Sequence, residues 1–195
     1  DQQGMNNCIV YIVAPAQFAT GGPELLHQLG KRLRDAGLDA RMHYLPADHP
    51  QPVHDNYKEY QLPYERQMED APQHWVIAPE IYTSTLFRYQ KVRKAVWWLS
   101  VDNYFWHLPG WRFLNYAMFR FLGKQRYLGF DARLKQVELH LVQSAYAAEV
   151  LLRKGIEKPL FVSDYLHQQF LGIQTDLSKK ENLVAYNPKK GKHFT

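Results

Sequence analysis

A strand, a glycine-bearing turn and an amphipathic helix follow one another near the start of the chain. That succession restricts the fold more than any other feature. Cys8-Ile9-Val10-Tyr11-Ile12-Val13 is an apolar run rich in β-branched and aromatic residues. It leads through Ala14-Pro15-Ala16-Gln17-Phe18-Ala19 into Thr20-Gly21-Gly22-Pro23-Glu24. Leu25, Leu26, Leu29 and Leu33 then recur at helical spacing, which predicts a helix from Pro23 to Ala36. Pro23 suits its first turn and Gly37 its stop. Ala40-Arg41-Met42-His43-Tyr44-Leu45 reads as the second strand. Strand, helix and strand are complete by residue 45, and a parallel pair with a right-handed crossover is expected.

The alternation continues. Residues 46–62 form a polar loop, and a helix is expected from Pro63 to Asp70. Trp75 to Pro79 reads as strand three, Thr83 to Gln90 as a short helix, and Ala95 to Val101 as strand four. Leu139 to Ser144 is strand five, Ala145 to Lys154 a helix stopped by Gly155, and Leu160 to Val162 a short strand six. Strands alternating with helices predict an α/β fold, a Rossmann-like parallel sheet with helices on both faces. In such sheets ligands sit at the carboxyl ends of the strands. Those ends carry Gly21-Gly22, Glu80, Asp102-Asn103, Ser144 and Ser163-Asp164-Tyr165.

Three domain segments are expected: 1–171 as the α/β unit, 172–182 as a polar linker, and 183–195 as the start of a second domain. The last segment holds a strand, Asn182-Leu183-Val184-Ala185-Tyr186, and then Asn187-Pro188-Lys189-Lys190-Gly191.

The net charge of +5 suits anionic ligands, but no Lys/Arg run exceeds two residues and no nucleic-acid motif occurs. Nucleic acid is therefore not an expected partner. A single cysteine, Cys8, excludes a disulfide within the chain and favours a reducing, cytoplasmic compartment. No signal peptide pattern opens the chain, and no stretch approaches the roughly 18 apolar residues of a transmembrane span. Residues 102–130 combine aromatic side chains with Arg112, Arg120, Lys124 and Arg126. They read as a helix packed on the sheet, or as a surface touching lipid headgroups or a lipid-linked substrate.

Each candidate site residue carries two readings. Gly21-Gly22 is a tight turn or a place where backbone N–H groups meet an anion; neither G-x-G-x-x-G nor a P-loop is present. Asp102-Asn103 offers a general base or a contact to sugar hydroxyls, or else an Asx cap. Glu80 is a functional carboxylate or a solvated loop residue, and Ser144 reads first as a helix N-cap. Lys189 and Lys190 meet a diphosphate or form a solvated tail. His49 and His54 share a loop but make a weak metal pair, so neither a metal nor another cofactor is expected.

The run Ala14 to Leu33 with its Thr20-Gly21-Gly22-Pro23-Glu24 turn, the Leu139 to Gly155 strand–Ser144–helix unit, and Tyr186 to Gly191 together resemble bacterial two-domain glycosyltransferases of the GT-B fold. The similarity is to the N-terminal domain of surface-polysaccharide transferases. It implies transfer of a sugar from a nucleotide-sugar donor to a saccharide or lipid-linked acceptor in a cleft between two domains. On that resemblance Asp102 and Glu80 are the catalytic candidates. Gly21, Gly22, Asn103, Ser144, Asp164 and Tyr165 are substrate-binding candidates, and Lys189 and Lys190 approach the donor diphosphate. The chain is then expected to carry the acceptor side and to be inactive without the rest of a C-terminal domain. A non-catalytic nucleotide-fold binding module and a peripheral membrane interaction domain are the alternatives.

Overall fold

The computed structural model describes residues 7–107 and 132–162, together with Asp176 and Ser178. The chain divides into two compact units, Asp1–Tyr165 and Leu166–Thr195. In the second, Ser178 donates to the Asp176 carboxylate from both its backbone N–H and its hydroxyl. The expected terminal strand lies outside the described residues, as does the expected linker apart from those two positions.

The first unit is built on a six-stranded, wholly parallel sheet. Its strands are β1 (Ile9–Pro15), β2 (Asp39–Leu45), β3 (Trp75–Pro79), β4 (Arg93–Trp98), β5 (Leu139–Val142) and β6 (Leu160–Phe161). Their order across the sheet is β2-β1-β3-β4-β5-β6. The α/β fold class is therefore as the sequence predicts.

Helix α1 (Gly21–Asp35) joins β1 to β2, whose register runs from Ile9 opposite Asp39 to Pro15 opposite Leu45. The remaining helices are α2 (Thr83–Leu86), α3 (Val101–His107), α4 (Ala132–Lys135) and α5 (Ala145–Arg153). Strands buried on both faces need apolar residues at every position, and the sheet divides them between two cores. Val10, Ile12, Ala14, Ala40, Met42, Ile77, Ala95 and Trp97 pack with Leu26 of α1. Tyr11, Val13, Val76, Ala78, Val96, Trp98 and Val142 pack with Leu86, Tyr104, Leu134 and Leu151 from the other helices. Trp98 donates its indole N–H to His140 Nδ1 at 3.0 Å and lies parallel to Phe105, which seats α3 on the sheet.

Two segments depart from the sequence reading. The expected helix from Pro63 to Asp70 does not form. Pro63 O accepts from Met42 N at 2.8 Å and Glu65 N donates to Met42 O at 2.9 Å, so this stretch runs parallel beside β2. The backbone there finds its partners in a strand rather than in its own turns. Strand β4 ends at Trp98, and Val101 opens α3 instead of closing the strand.

Helix α1 approaches this layer closely at Gly30. A Cβ there would stand 2.9 Å from Leu62 Cδ1 and 3.4 Å from both Ile12 Cδ1 and Met42 Sδ. Gly30→Val should destabilise the fold by about 2 kcal/mol through overpacking, read as a lower urea midpoint at unchanged slope.

Candidate functional site

The chain reverses its direction of travel across the sheet at β1, with β2 on one side and β3 on the other. The crevice outside the carboxyl ends at such a reversal is where open α/β sheets bind ligands. Gly21 and Gly22 open α1 at this edge. Thr20, which precedes them, makes no side-chain capping bond. A methyl at Gly21 would meet nothing within 4 Å, whereas one at Gly22 would stand 3.3 Å from Leu99 Cδ1. Gly22 is thus set against the end of β4, and Gly21 faces open space.

The β1–α1 turn is tied to the loop after β2. Gln17 takes a positive φ of 51°. Its N–H donates to Pro52 O at 3.0 Å, and its side-chain amide donates to Gln51 O at 2.7 Å and Val53 O at 2.9 Å. The loop is polar in composition, yet Tyr57 is buried and stacks on His27 of α1 with ring centroids 3.9 Å apart. His27 Nδ1 lies 2.6 Å from Pro23 O and Nε2 lies 2.8 Å from Tyr44 Oη. A carbonyl can only accept, so Nδ1 carries the proton and the Tyr44 hydroxyl donates to Nε2. Burial pushes the His27 pKa down to about 4. Helix, strand and loop therefore meet at one neutral imidazole.

Glu80, the first residue after β3, is buried rather than solvated, at 3% exposure. Its carboxylate accepts from Leu99 N at 3.0 Å, from Ser100 N and from the Asn103 side chain. It thereby ties the end of β3 to the turn between β4 and α3. Burial raises its pKa to about 7 despite those donors. Asn103 N in turn donates to Ser100 Oγ at 3.1 Å, which makes Ser100 the residue that caps α3, a role the sequence offered to Asp102.

Asp102 is exposed in the first turn of α3, where its carboxylate accepts from the Tyr146 hydroxyl at 2.7 Å. That hydrogen bond, and then the negative charge of Asp102, raises the Tyr146 pKa. Tyr146 sits two residues beyond Ser144, whose Oγ caps α5 by accepting from Ala147 N at 3.1 Å. Gln143 completes the link by donating to Leu99 O at 3.2 Å.

Glu80, Asn103 and Asp102 are thus gathered with Ser144 at the ends of β3, β4 and β5, and Gly22 reaches them through Leu99. Asp164, Tyr165, Lys189 and Lys190 lie outside the described residues. Sequence reasoning passed over Ser100, Gln143 and Tyr146. The Ser100-x-x-Asn103 spacing is a capping signal that could have identified the first.

His49 and His54 each accept a backbone N–H from the residue two positions on, at 3.2 Å. Among the described residues no group of three or more His, Cys, Asp or Glu is placed to hold a metal ion. No helix among them is long and apolar enough to cross a membrane.

Two titrations follow with opposite signs. The folded state keeps the Glu80 proton that the unfolded chain releases between pH 4.5 and about 7, so stability from this group is full at low pH and lost as pH rises through that window. Glu80→Gln should therefore gain on the wild type by ~3 kcal/mol between pH 4.5 and 7.5 in urea unfolding. His27 acts in reverse: its contribution is full above pH 6.5 and is lost as pH falls towards 4. Burial lowers His43 and His140 as well, so they contribute with the same sign. Imidazole NMR should show His27 as the Nδ1–H tautomer, neutral down to about pH 4.

Compared with known proteins, the chain matches no family model and no curated sequence.

Proposed function

We propose that this chain is the acceptor side of a nucleotide-sugar-dependent glycosyltransferase of bacterial cell-surface polysaccharide synthesis. The observation that carries the reading is the state of the two carboxyls at the carboxyl edge. Glu80 is buried and spends its oxygens on the turn that opens α3. Asp102, on that turn, is exposed and held by one hydroxyl. A buried carboxyl that fixes a turn and an exposed one presented by it form a positioned base with its support.

In this reading Asp102 receives the proton of an acceptor hydroxyl as that oxygen bonds to the anomeric carbon. The bond from that carbon to the diphosphate breaks, and the nucleoside diphosphate leaves with the electron pair. Glu80 positions Asn103 and Asp102. The N–H groups at Gly21 and Gly22 face the donor phosphates or the acceptor, since a helix start favours anions. Lys189 and Lys190 are assigned to the donor diphosphate, and Ser144, Asp164 and Tyr165 to substrate. The reading calls for no metal. It places the protein in the cytoplasm, with the aromatic and basic residues 104–127 towards the anionic inner membrane face.

The test is release of nucleoside diphosphate by the product of the whole reading frame, with a panel of nucleotide sugars and saccharide acceptors. Asp102→Asn should lower kcat by about 100-fold or more. Turnover within about threefold of the wild type would remove Asp102 from the reaction. No release with any donor would reject the transferase reading.

A further inference from the structure

Seven large apolar side chains are exposed among the described residues. Most lie on helix flanks, in β6 or beside β2. Two aromatic ones lie within a few residues of the carboxyl end of a strand: Phe18 in the turn after β1, 54% exposed, and Tyr146 in the first turn of α5 after β5, 57% exposed. Isolated exposed apolar residues are ordinary. These two differ in being held in place.

Phe18 follows Gln17, whose backbone and side chain make three hydrogen bonds to residues 51–53. Thr20, on its other side, has its carbonyl bonded by Tyr57 Oη at 3.3 Å and by Glu24 N at 3.0 Å. The positive φ at Gln17 is a conformation that a side chain adopts only at a cost. The turn is therefore fixed, and it presents a phenyl ring to water. Tyr146 is aimed by its bond to Asp102.

Between β1 and β5, the strands that lead to the two rings, lie β3 and β4, followed by Glu80 and by Asp102. Three inter-strand steps separate β1 from β5, which sets their ends about 14 Å apart. That span exceeds one hexose ring and suits a short linear oligosaccharide. A sugar ring has C–H groups on its faces and hydroxyls round its edge. The C–H faces match the negative face of an aromatic ring, and the edge matches a carboxylate such as Asp102.

We infer that Phe18 and Tyr146 are the two ring platforms of an oligosaccharide site running along the carboxyl edge of the sheet, with Asp102 between them. The inference rests on the acceptor reading above and narrows it: the acceptor is a chain of several sugars, engaged at both ends of the edge. A fixed platform lowers the ordering cost of binding, which is a reason for a strained and tied turn to carry an exposed ring.

The product of the whole reading frame should be titrated with linear hexose oligomers from monosaccharide to hexasaccharide, and with UDP alone, by saturation-transfer NMR. Affinity should rise with length to at least the trisaccharide. Phe18→Ala and Tyr146→Ala should each weaken oligomer binding by about tenfold, while Tyr146→Phe, which keeps the ring but loses the bond that aims it, should weaken it by less than Tyr146→Ala does. Both residues are exposed, so circular dichroism should show these variants folded. Equal affinity for monomer and oligomer, or full oligomer binding by Phe18→Ala, would overturn the inference. So would UDP binding that depends on Phe18 with no oligomer binding, which would make Phe18 a platform for the nucleotide base. Sugar transfer that persists while oligomer binding ignores Phe18 would overturn this inference alone. Absence of transfer with every donor would remove the reading beneath it.

Discussion

Strand β1 has no free edge and no free face. It pairs with β2 on one side and β3 on the other, and alternate side chains enter the two cores. Tyr11 and Val13 face one layer; Val10, Ile12 and Ala14 face the other. No tight turn links parallel strands, so the chain passes from β1 to β2 through α1 and returns from β2 past β1 to β3. Helix α1 carries the chain from β1 to one edge of the sheet and the later strands are added on the other side, so the loops after β1 and β3 diverge and open the crevice at the carboxyl end. The loop to α1, the tether from Glu80 and the first turn of α3 all border that opening. The site is a consequence of how the central strand is partnered.

Much of this was legible in the chain. The strand cores announced themselves as apolar, β-branched runs, and Gly37 and Gly155 marked the ends of α1 and α5 by adopting φ of 84° and 87°. Ser144 read as a cap and is one. Failures came where the deciding contact lay far off in sequence. Pro63 to Asp70 has residues that tolerate a helix, but Pro63 and Glu65 bond the backbone of Met42. Glu80 looked like any loop carboxylate because its partners, Leu99, Ser100 and Asn103, arrive from another strand. Tyr146 carried no motif; its meaning depends on Asp102 being brought to it across two elements.

The two carboxyls show how environment assigns work to identical chemistry. Glu80 is an acceptor for four donors, its own backbone N–H among them, in a place where ionisation is disfavoured, so its contribution is to hold geometry. Asp102, a short distance along the turn that Glu80 holds, is open to solvent and bonded once. A pair of acids near one another at a strand edge would read alike in any sequence scan, and only burial separates their roles.

The bonds from Gln17 to residues 51–53 make the loops after β1 and β2 one mechanical part, though some thirty residues of helix and strand lie between them. His27 and Tyr57 bolt the same part to α1. Surface loops normally accept changes of length independently. Here the rim of the crevice is modular only as a pair: transplanting one loop to another sheet without its fellow would deliver a segment stripped of the acceptors that shape it. Redesign of ligand preference at this edge has the two loops, and not either one, as its unit of exchange.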